Sequence, residues 1–156
     1  AVLLTQWHFD LIGAVVYLYE HFLCPIFLHQ VDFEMLVNPQ LNLSVYENPF
    51  TVKAPVQSSH EEMKFGDFDV QWLHLPGHCP GSSMIYLKDE NIIFSGDVLF
   101  KGSIGRFDFP NSSKYETIES INKIKEYDFD AVIYPGHGPN STLSEERLNN
   151  PYLKKS

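Results

Sequence analysis

Cysteine, basic residues and long apolar runs are scarce in this sequence of 156 residues. Its two cysteines, Cys24 and Cys79, are too few for a disulfide framework and favour a reducing, cytoplasmic compartment. The net charge of −9 argues against nucleic acid as a partner, because phosphate binding needs clustered lysine and arginine. No uninterrupted apolar run reaches the roughly 18 residues of a membrane span. We therefore expect a small molecule as the partner, and neither a nucleic acid nor a membrane.

The length predicts one domain over residues 1–156, and a hydrophobic content of 44% is enough for a core. The chain opens without methionine and without a recognisable signal peptide, on the apolar, strand-like run Ala1–Thr5. We therefore expect a processed or truncated chain that is entered midway through a buried strand.

Strand-like and helix-like segments alternate along the chain, which predicts the α/β class. The predicted strands are short and apolar, and they cover residues 1–5, 26–28, 68–75, 83–88, 91–95 and 129–134. The predicted helices cover residues 11–23, 31–37 and 113–127, with a short terminal helix from residue 142. Capping boxes open the last two of these helices. Residues 38–67 are predicted to be a packed, loop-rich excursion without a domain boundary.

Two helices carry expectations about burial. The segment from Leu11 to Leu23 is apolar nearly all round, so it should be covered on most sides. In the helix that begins near Ser113, the buried side should consist of Ile118, Ile121 and Ile124.

Four strand-like segments each lead into side chains that commonly bind metals. These side chains are His8 and Asp10, then His78, then Asp97, then His137. Taken singly, Asp10 is explained as a helix N-cap, Asp97 as a turn residue and each histidine as a structural residue. Strand ends of α/β proteins meet at one edge of the sheet, and imidazole and carboxylate suit zinc or iron. The fourfold recurrence therefore favours a metal site.

Other candidate ligands have simpler explanations. Cys79 follows His78 directly, and both a fifth ligand and a small packing residue are open interpretations, with packing favoured. The remaining histidines are interpreted as structural. His21 and His60 lack the strand-end placement, and His29 and His74 lie near the relevant strands but alternate away from a ligand position.

The same four motifs, in this order, resemble the metallo-β-lactamase superfamily, and in particular its short glyoxalase-II-like hydrolases. Residues 5–13 read TQWHFDLIG, where the family has THxHxDH followed by IG, and residues 76–82 read PGHCPGS, where it has PGHTPGS. The segments FSGD at 94–97, GSIGRFDFP at 102–110, LNLS at 41–44 and PGHGP at 135–139 are also similar to that branch. The resemblance covers essentially the whole chain, and it implies that further strands and a helix precede Ala1.

The resemblance implies a dinuclear metal centre at one edge of an αββα sandwich. Position by position, one metal would be held at Gln6, His8 and His78, and the other at Asp10, Leu11 and His137, with Asp97 bridging both. Zinc is the implied ion, as one or two ions, with iron or manganese as alternatives. Asp10 and Asp97 are also the implied catalytic residues, and Arg106 the implied substrate-binding residue.

The chain departs from the family at three of these motif positions. Gln6 and Leu11 stand where the family has histidines, and Trp7 replaces a residue that is usually small and is expected to crowd the cleft. Since a catalytic zinc typically takes three protein ligands, a single metal on His8, His78 and Asp97 remains open.

Three functions follow from these observations. The leading hypothesis is a metal-dependent hydrolase of a small ester or thioester, impaired by the loss of two ligands. The alternatives are a mononuclear iron enzyme that resembles persulfide dioxygenases, and an inactive or engineered scaffold of the same fold. The implied absence of strands before Ala1 also leads us to expect self-association through the surface left open there.

Overall fold

A computed structural model describes residues 1–154, which form four α-helices, two 3-10 helices and eleven strands. The strands are β1 Val2–Leu3, β2 Ile26–Leu28, β3 Val56–Ser58, β4 Glu62–Phe65, β5 Phe68–His74, β6 Ser83–Leu87, β7 Ile92–Gly96, β8 Leu99–Phe100, β9 Ser103–Ile104, β10 Val132–Pro135 and β11 Ser141–Thr142. The α-helices are α1 Phe9–Ile12, α2 Val15–Phe22, α3 Lys114–Lys125 and α4 Leu143–Asn149, and two 3-10 helices cover Gln30–Val37 and Ser44–Tyr46. Within residues 1–154, none of these helices combines the length and apolarity needed to cross a membrane.

The strands form two main sheets. The first is parallel, with the order β1-β2-β3 and Val2 opposite Ile26. The second has six strands in the order β11-β10-β7-β6-β5-β4, and only the pair of β10 and β7 is parallel. Strands β8 and β9 pair as a small hairpin of their own.

Three apolar clusters show how these elements are layered. The first packs α3 and α4 on one face of the six-stranded sheet, with Ile124 and Ile133 almost fully buried. The second packs α1, α2 and the first 3-10 helix on the three-stranded sheet, around Ile12 and Ile26. The third lies between the two sheets and includes Trp72. This order of layers is the αββα sandwich.

An apolar groove of about 720 Å³ opens beside the layer between the sheets. Its walls include the apolar side chains of Leu3, Phe65, Phe68 and Phe94, which offer no catalytic groups. The self-association expected in front of Ala1 stays a prediction.

The strand predictions at β1, β2, β5 and the β6–β7 hairpin are confirmed, although β1 is shorter than expected. Strands β3 and β4, in contrast, were missed. They lie in the segment that was interpreted as loop, and their side chains are mostly half-buried or exposed. Because these strands bury few side chains completely, no apolar run marks them in the sequence.

The prediction of one covered helix over Leu11–Leu23 is wrong. The chain breaks at Gly13 and Ala14, so that α1 and α2 are separate helices. Only Val15 is fully buried in α2, and Phe22 is 68% exposed. The helix ends where Leu23 takes a left-handed conformation and donates its backbone N–H to Tyr19.

The N-cap of each predicted capping box is confirmed, but the backbone N–H of Ser113 donates to the carbonyl of Gly77 at 2.8 Å instead of to the Glu116 side chain. Ser113 accepts a hydrogen bond from the N–H of Glu116 at 3.2 Å, and Thr142 accepts one from Glu145 at 3.1 Å. Ile121 and Ile124 face the core as expected, but Ile118 is 50% exposed. The buried side of α3 runs through Thr117 instead, because that position lies one turn before Ile121 on the same helix face.

Candidate metal centre

Four connections after strands meet at one edge of the sandwich, and they bring the five sequence-predicted ligands into one cleft. The cleft has a volume of about 360 Å³, and its walls include all five of these side chains: His8, Asp10, His78, Asp97 and His137. His8 lies between β1 and α1, His78 follows β5, Asp97 follows β7, and His137 follows β10. Together with Cys79, which lies beside His8, these side chains form two groups of three.

The first group consists of His8, His78 and Cys79, which are 3%, 8% and 1% exposed. His8 Nδ1 lies 3.0 Å from His78 Nε2 and 3.7 Å from Cys79 Sγ. The backbone carbonyl of Arg106 accepts a hydrogen bond from His78 Nδ1 at 2.7 Å. That bond fixes the proton on Nδ1, so His78 presents the lone pair of Nε2 to the group.

Burial sets the charge state of this group. Desolvation, together with the neighbouring His78, lowers the pKa of His8 to about 3. His8 is therefore neutral near neutral pH and keeps a lone pair for a ligand. Burial also raises the pKa of the Cys79 thiol well above its usual value, and the carboxylates of Asp32 and Asp97 add to that effect.

The second group consists of Asp10, Asp97 and His137. His137 Nδ1 lies 2.8 Å from Asp97 Oδ1, and His137 Nε2 lies 3.1 Å from Asp10 Oδ2. The hydrogen bond that His137 donates to Asp97 raises the pKa of His137, and the charges of both carboxylates add to that effect. His78 Nε2 lies 3.6 Å from Asp97 Oδ2, so the two groups adjoin at Asp97.

Asp97 is held in a tight backbone cradle. Gly96 has φ +51°, in the left-handed region, and a Cβ at that position would collide with the side chain of Thr5. A Cβ on Gly136 would lie 2.6 Å from Asp97 Oδ1. The approach of these backbones to Asp97 and Thr5 therefore requires glycine at both positions.

The three positions that depart from the family behave differently from one another. Gln6 is 1% exposed and donates its side-chain amide to Asp97 Oδ2, with 2.7 Å between the atoms. Its amide oxygen accepts from Cys79 Sγ at 3.0 Å. The side chain of Leu11 is a hydrocarbon and has no atom that can bind a metal ion. Trp7 does not crowd the cleft, because it is fully buried in the core beneath the three-stranded sheet.

Arg106 lies on the wall of the cleft but is already engaged with its neighbours. Its guanidinium makes a two-point ion pair with Asp108, at 2.6 and 2.8 Å, and stacks 4.3 Å above the ring centre of Phe109. The side chain is 62% exposed, at the rim. Arg106 can therefore meet a substrate that approaches from solvent.

The chemistry of the donors fits metal ions in both groups. Two imidazoles and a thiol suit zinc and other borderline-soft ions, whereas two carboxylates and an imidazole suit zinc, iron or manganese. The three candidate donor atoms of each group lie within 4.8 Å of one another. The structure therefore places suitable donors together without help from Gln6 or Leu11.

Sequence reasoning missed the apolar walls of the cleft. Those walls are formed by Leu43, Phe100, Ile104 and Phe109. Phe109 and Ile104 belong to the GSIGRFDFP segment, so the motif was visible although the role of its side chains was not. The remaining histidines lie elsewhere, as interpreted: His29 and His74 stack on each other with their ring centres 3.9 Å apart.

Comparisons with known proteins agree with this geometry. The family model of the metallo-beta-lactamase superfamily matches residues 1–137. A Bacillus subtilis protein named "Probable metallo-hydrolase YqgX" is 37% identical over 98% of this chain and 75% of its own length. The "Hydroxyacylglutathione hydrolase GloC" of Haemophilus influenzae is 34% identical over 97% of this chain and 74% of its own length.

Two solved structures are similar over nearly the whole chain. The BLEG-1 B3 metallo-beta-lactamase is 37% identical, with a TM-score of 0.91 over 99% of this chain and 77% of its own. TTHA1623, solved in a di-iron-bound form, is 36% identical, with a TM-score of 0.87 over 98% of this chain and 77% of its own.

Proposed function

The chain belongs to the metallo-beta-lactamase superfamily, and from that membership we propose that it is a metal-dependent hydrolase of small esters or thioesters. The similarity to a hydroxyacylglutathione hydrolase supports a thioester as the substrate class. The single observation that carries the proposal is the meeting of His8, His78, Asp97 and His137 in one cleft with apolar walls.

The metal would be held by the two groups of donors at the base of this cleft. It would supply Lewis-acid activation of a carbonyl and of a water molecule. The ion's identity stays open in this proposal; zinc, iron and manganese all suit these donors.

The protein side chains would position the substrate and handle its proton. Phe100 and Phe109 offer an apolar wall for the acyl group, and Arg106 offers positive charge at the rim for an anionic end. Asp10, whose side chain is 35% exposed at the mouth, would accept a proton from the attacking water. Asp97 would orient His137 through their 2.8 Å contact.

The test measures bound metal and hydrolysis together. Purified chain is loaded with zinc, iron or manganese, its metal content is determined by elemental analysis, and a hydroxyacyl thioester of glutathione is the substrate. We expect about one metal ion or more per chain, as a catalytic site requires. Asp10→Asn should lower kcat by about 100-fold or more, because positioned proton transfer contributes at least that much. His60→Ala, at an exposed position outside the cleft, is the control and should leave both readouts unchanged.

Other substrates separate the remaining hypotheses. Turnover of a β-lactam but not of the thioester would assign a different amide-hydrolysing activity, in keeping with the BLEG-1 neighbour. Oxygen uptake by the iron-loaded chain with a persulfide would assign the dioxygenase-like alternative. A chain that retains no metal and turns over none of these compounds would contradict the proposed function and leave the inactive scaffold.

A further inference from the structure

We propose that Cys79 is a metal ligand, and that its Sγ completes a three-ligand site with His8 Nδ1 and His78 Nε2. This inference rests on the proposed function only in requiring that the cleft binds a metal ion. The Cys79 thiol would take the place of the family's histidine, where this chain has Gln6.

The separations within the group fit a single ion. With metal–nitrogen bonds near 2.0–2.1 Å and a metal–sulfur bond near 2.3 Å, donors at tetrahedral corners lie roughly 3.3–3.6 Å apart. The observed separations from His8 Nδ1 are 3.0 Å to His78 Nε2 and 3.7 Å to Cys79 Sγ. Both separations lie within a few tenths of an ångström of these values, and the candidate ligand atoms of the three side chains all lie within 4.8 Å of one another.

The donor atoms also have suitable orientations. His78 donates from Nδ1 to the carbonyl of Arg106, so its Nε2 lone pair points toward His8. Cys79 is anchored by its own backbone, whose N–H donates to Ser82 Oγ at 2.8 Å. The thiol thus sits on a fixed turn, in a buried position with the two imidazoles.

Asp97 is less available for the same ion. One carboxylate oxygen accepts the amide of Gln6 at 2.7 Å, and the other lies 2.8 Å from His137 Nδ1. A metal ion at Asp97 Oδ2 would compete with the amide of Gln6 for that oxygen. The Cys79 thiol also has a partner, because its S–H donates to the amide oxygen of Gln6 at 3.0 Å. A thiol is a weak donor, so this bond is easier to replace than the bond from the Gln6 amide to a carboxylate.

Coordination would exchange one bond for another. The thiolate is the ligand, so a metal–sulfur bond forms as the S–H bond breaks and its proton leaves to the buffer. No electrons are transferred, and no further reactant is needed. His8 and His78 line the cleft, so the fourth position of the ion would face the substrate.

Cobalt(II) provides a direct test, because a thiolate ligand gives an intense near-ultraviolet charge-transfer band that nitrogen and oxygen ligands do not. The chain has two cysteines, so Cys24→Ser leaves Cys79 as the only thiol. We expect the unmodified chain and Cys24→Ser to show the band in proportion to bound cobalt, determined by elemental analysis. Cys79→Ser and Cys79→Ala should lack the band and bind cobalt about 10-fold or more weakly, the scale of losing a ligand-shell contact.

The outcomes separate this inference from the proposed function. Stoichiometric cobalt without the band in Cys24→Ser would overturn ligation by Cys79 while leaving the metal-dependent hydrolase intact. The same band in Cys79→Ser would assign the signal to Cys24 and would also overturn it. Failure of every form to bind cobalt, zinc or iron would overturn both proposals together. Because the decisive reading is made on Cys24→Ser, it does not depend on whether the Cys79 variants fold.

Discussion

Gln6 donates its side-chain amide to Asp97 across 91 positions of sequence, with 2.7 Å between Nε2 and Oδ2. His137 approaches the other oxygen of the same carboxylate at 2.8 Å. Both oxygens of Asp97 are thus held by nitrogen atoms of the protein itself. In the two-metal arrangement that the family implies, those oxygens would bridge the ions, so Gln6 takes a contact that a metal would otherwise use.

Restoring the family's histidines at positions 6 and 11 should convert this arrangement into a two-metal site. We expect the double variant Gln6→His, Leu11→His to retain about two metal ions per chain, as a two-metal site requires, and more than the unmodified chain retains. Gln6→His removes the amide donor from Asp97, and Leu11→His supplies the missing imidazole. Elemental analysis after dialysis provides the measurement.

A matched control for that variant is Gln71→His, on β5 outside the cleft. It adds a histidine without changing the site and should leave metal content as it was. Equal metal content in the double variant and the unmodified chain would show that Gln6 and Leu11 do not limit binding.

Much of this site was predictable because its ligands lie beside recognisable turns. His78, Asp97 and His137 each follow a glycine at the end of a strand, and their meeting at one edge follows from the α/β class. The contact of Gln6 with Asp97 was not predictable, because it depends on how two distant turns face each other. Cys79 packs in the apolar core, as favoured, but its contact with His8 was not predictable, since sequence adjacency alone does not tell where a thiol points.

The fold was predictable where hydrophobic periodicity is strong and unpredictable where burial is partial. The hairpin of β6 and β7 was found, and so were the N-caps at Ser113 and Thr142. The break at Gly13 was missed. The covering of this segment was also overestimated, because an apolar helix face in the sequence does not say whether anything covers it. Exposed Phe22 shows that nothing among the described residues covers that end of α2.

The contribution of Asp32 to the protein's stability should fall as pH rises. Its side chain is fully buried, and desolvation raises its pKa from 3.8 to about 6, although a hydrogen bond from the N–H of Gly81 opposes the shift. An acid whose pKa is raised in the folded state keeps its proton there at pH values at which the unfolded chain has already lost it. The contribution of Asp32 to stability is therefore highest below about pH 4 and is lost as the pH rises to about 6, by on the order of 3 kcal/mol.

Urea unfolding at several pH values between these limits measures that loss, as the difference in the free energy of unfolding between the unmodified chain and Asp32→Asn. Asp32→Asn cannot ionise, so its free energy of unfolding should lack this part of the pH dependence. Asp69→Asn, at an exposed aspartate on β5, should retain the dependence of the unmodified chain. Identical pH dependence in Asp32→Asn and the unmodified chain would contradict the assignment.

The N-cap of α3 should contribute to stability independently of the metal. Ser113→Ala removes the acceptor for the N–H of Glu116 and should lower the free energy of unfolding by about 1 kcal/mol. Ser113→Asp keeps an acceptor at the same position and should recover most of that loss. Urea midpoints for the three forms test this, and a Ser113→Asp variant as unstable as Ser113→Ala would argue against a capping role.

The turn after β5 approaches α3 closely at Gly77, and this contact should position His78. Gly77 has φ +141°, and a Cβ there would lie 2.6 Å from the backbone nitrogen and Cα of Thr117. Because backbone atoms cannot rotate away as a side chain does, Gly77→Ala must push the turn off α3. We expect a loss of about 3 kcal/mol or more, from the combined cost of overpacking and backbone strain.

Gly66→Ala isolates the conformational part of that cost. Gly66 has φ +62°, but nothing lies within 4 Å of its added Cβ, so only the left-handed conformation is penalised, by roughly 1–2 kcal/mol. Urea unfolding should therefore separate the two variants. Cobalt binding should separate them further, because only Gly77→Ala displaces His78, and we expect its affinity to fall about 10-fold or more. If the two variants lose equal stability and both retain cobalt affinity, the contact between Gly77 and Thr117 does not position His78.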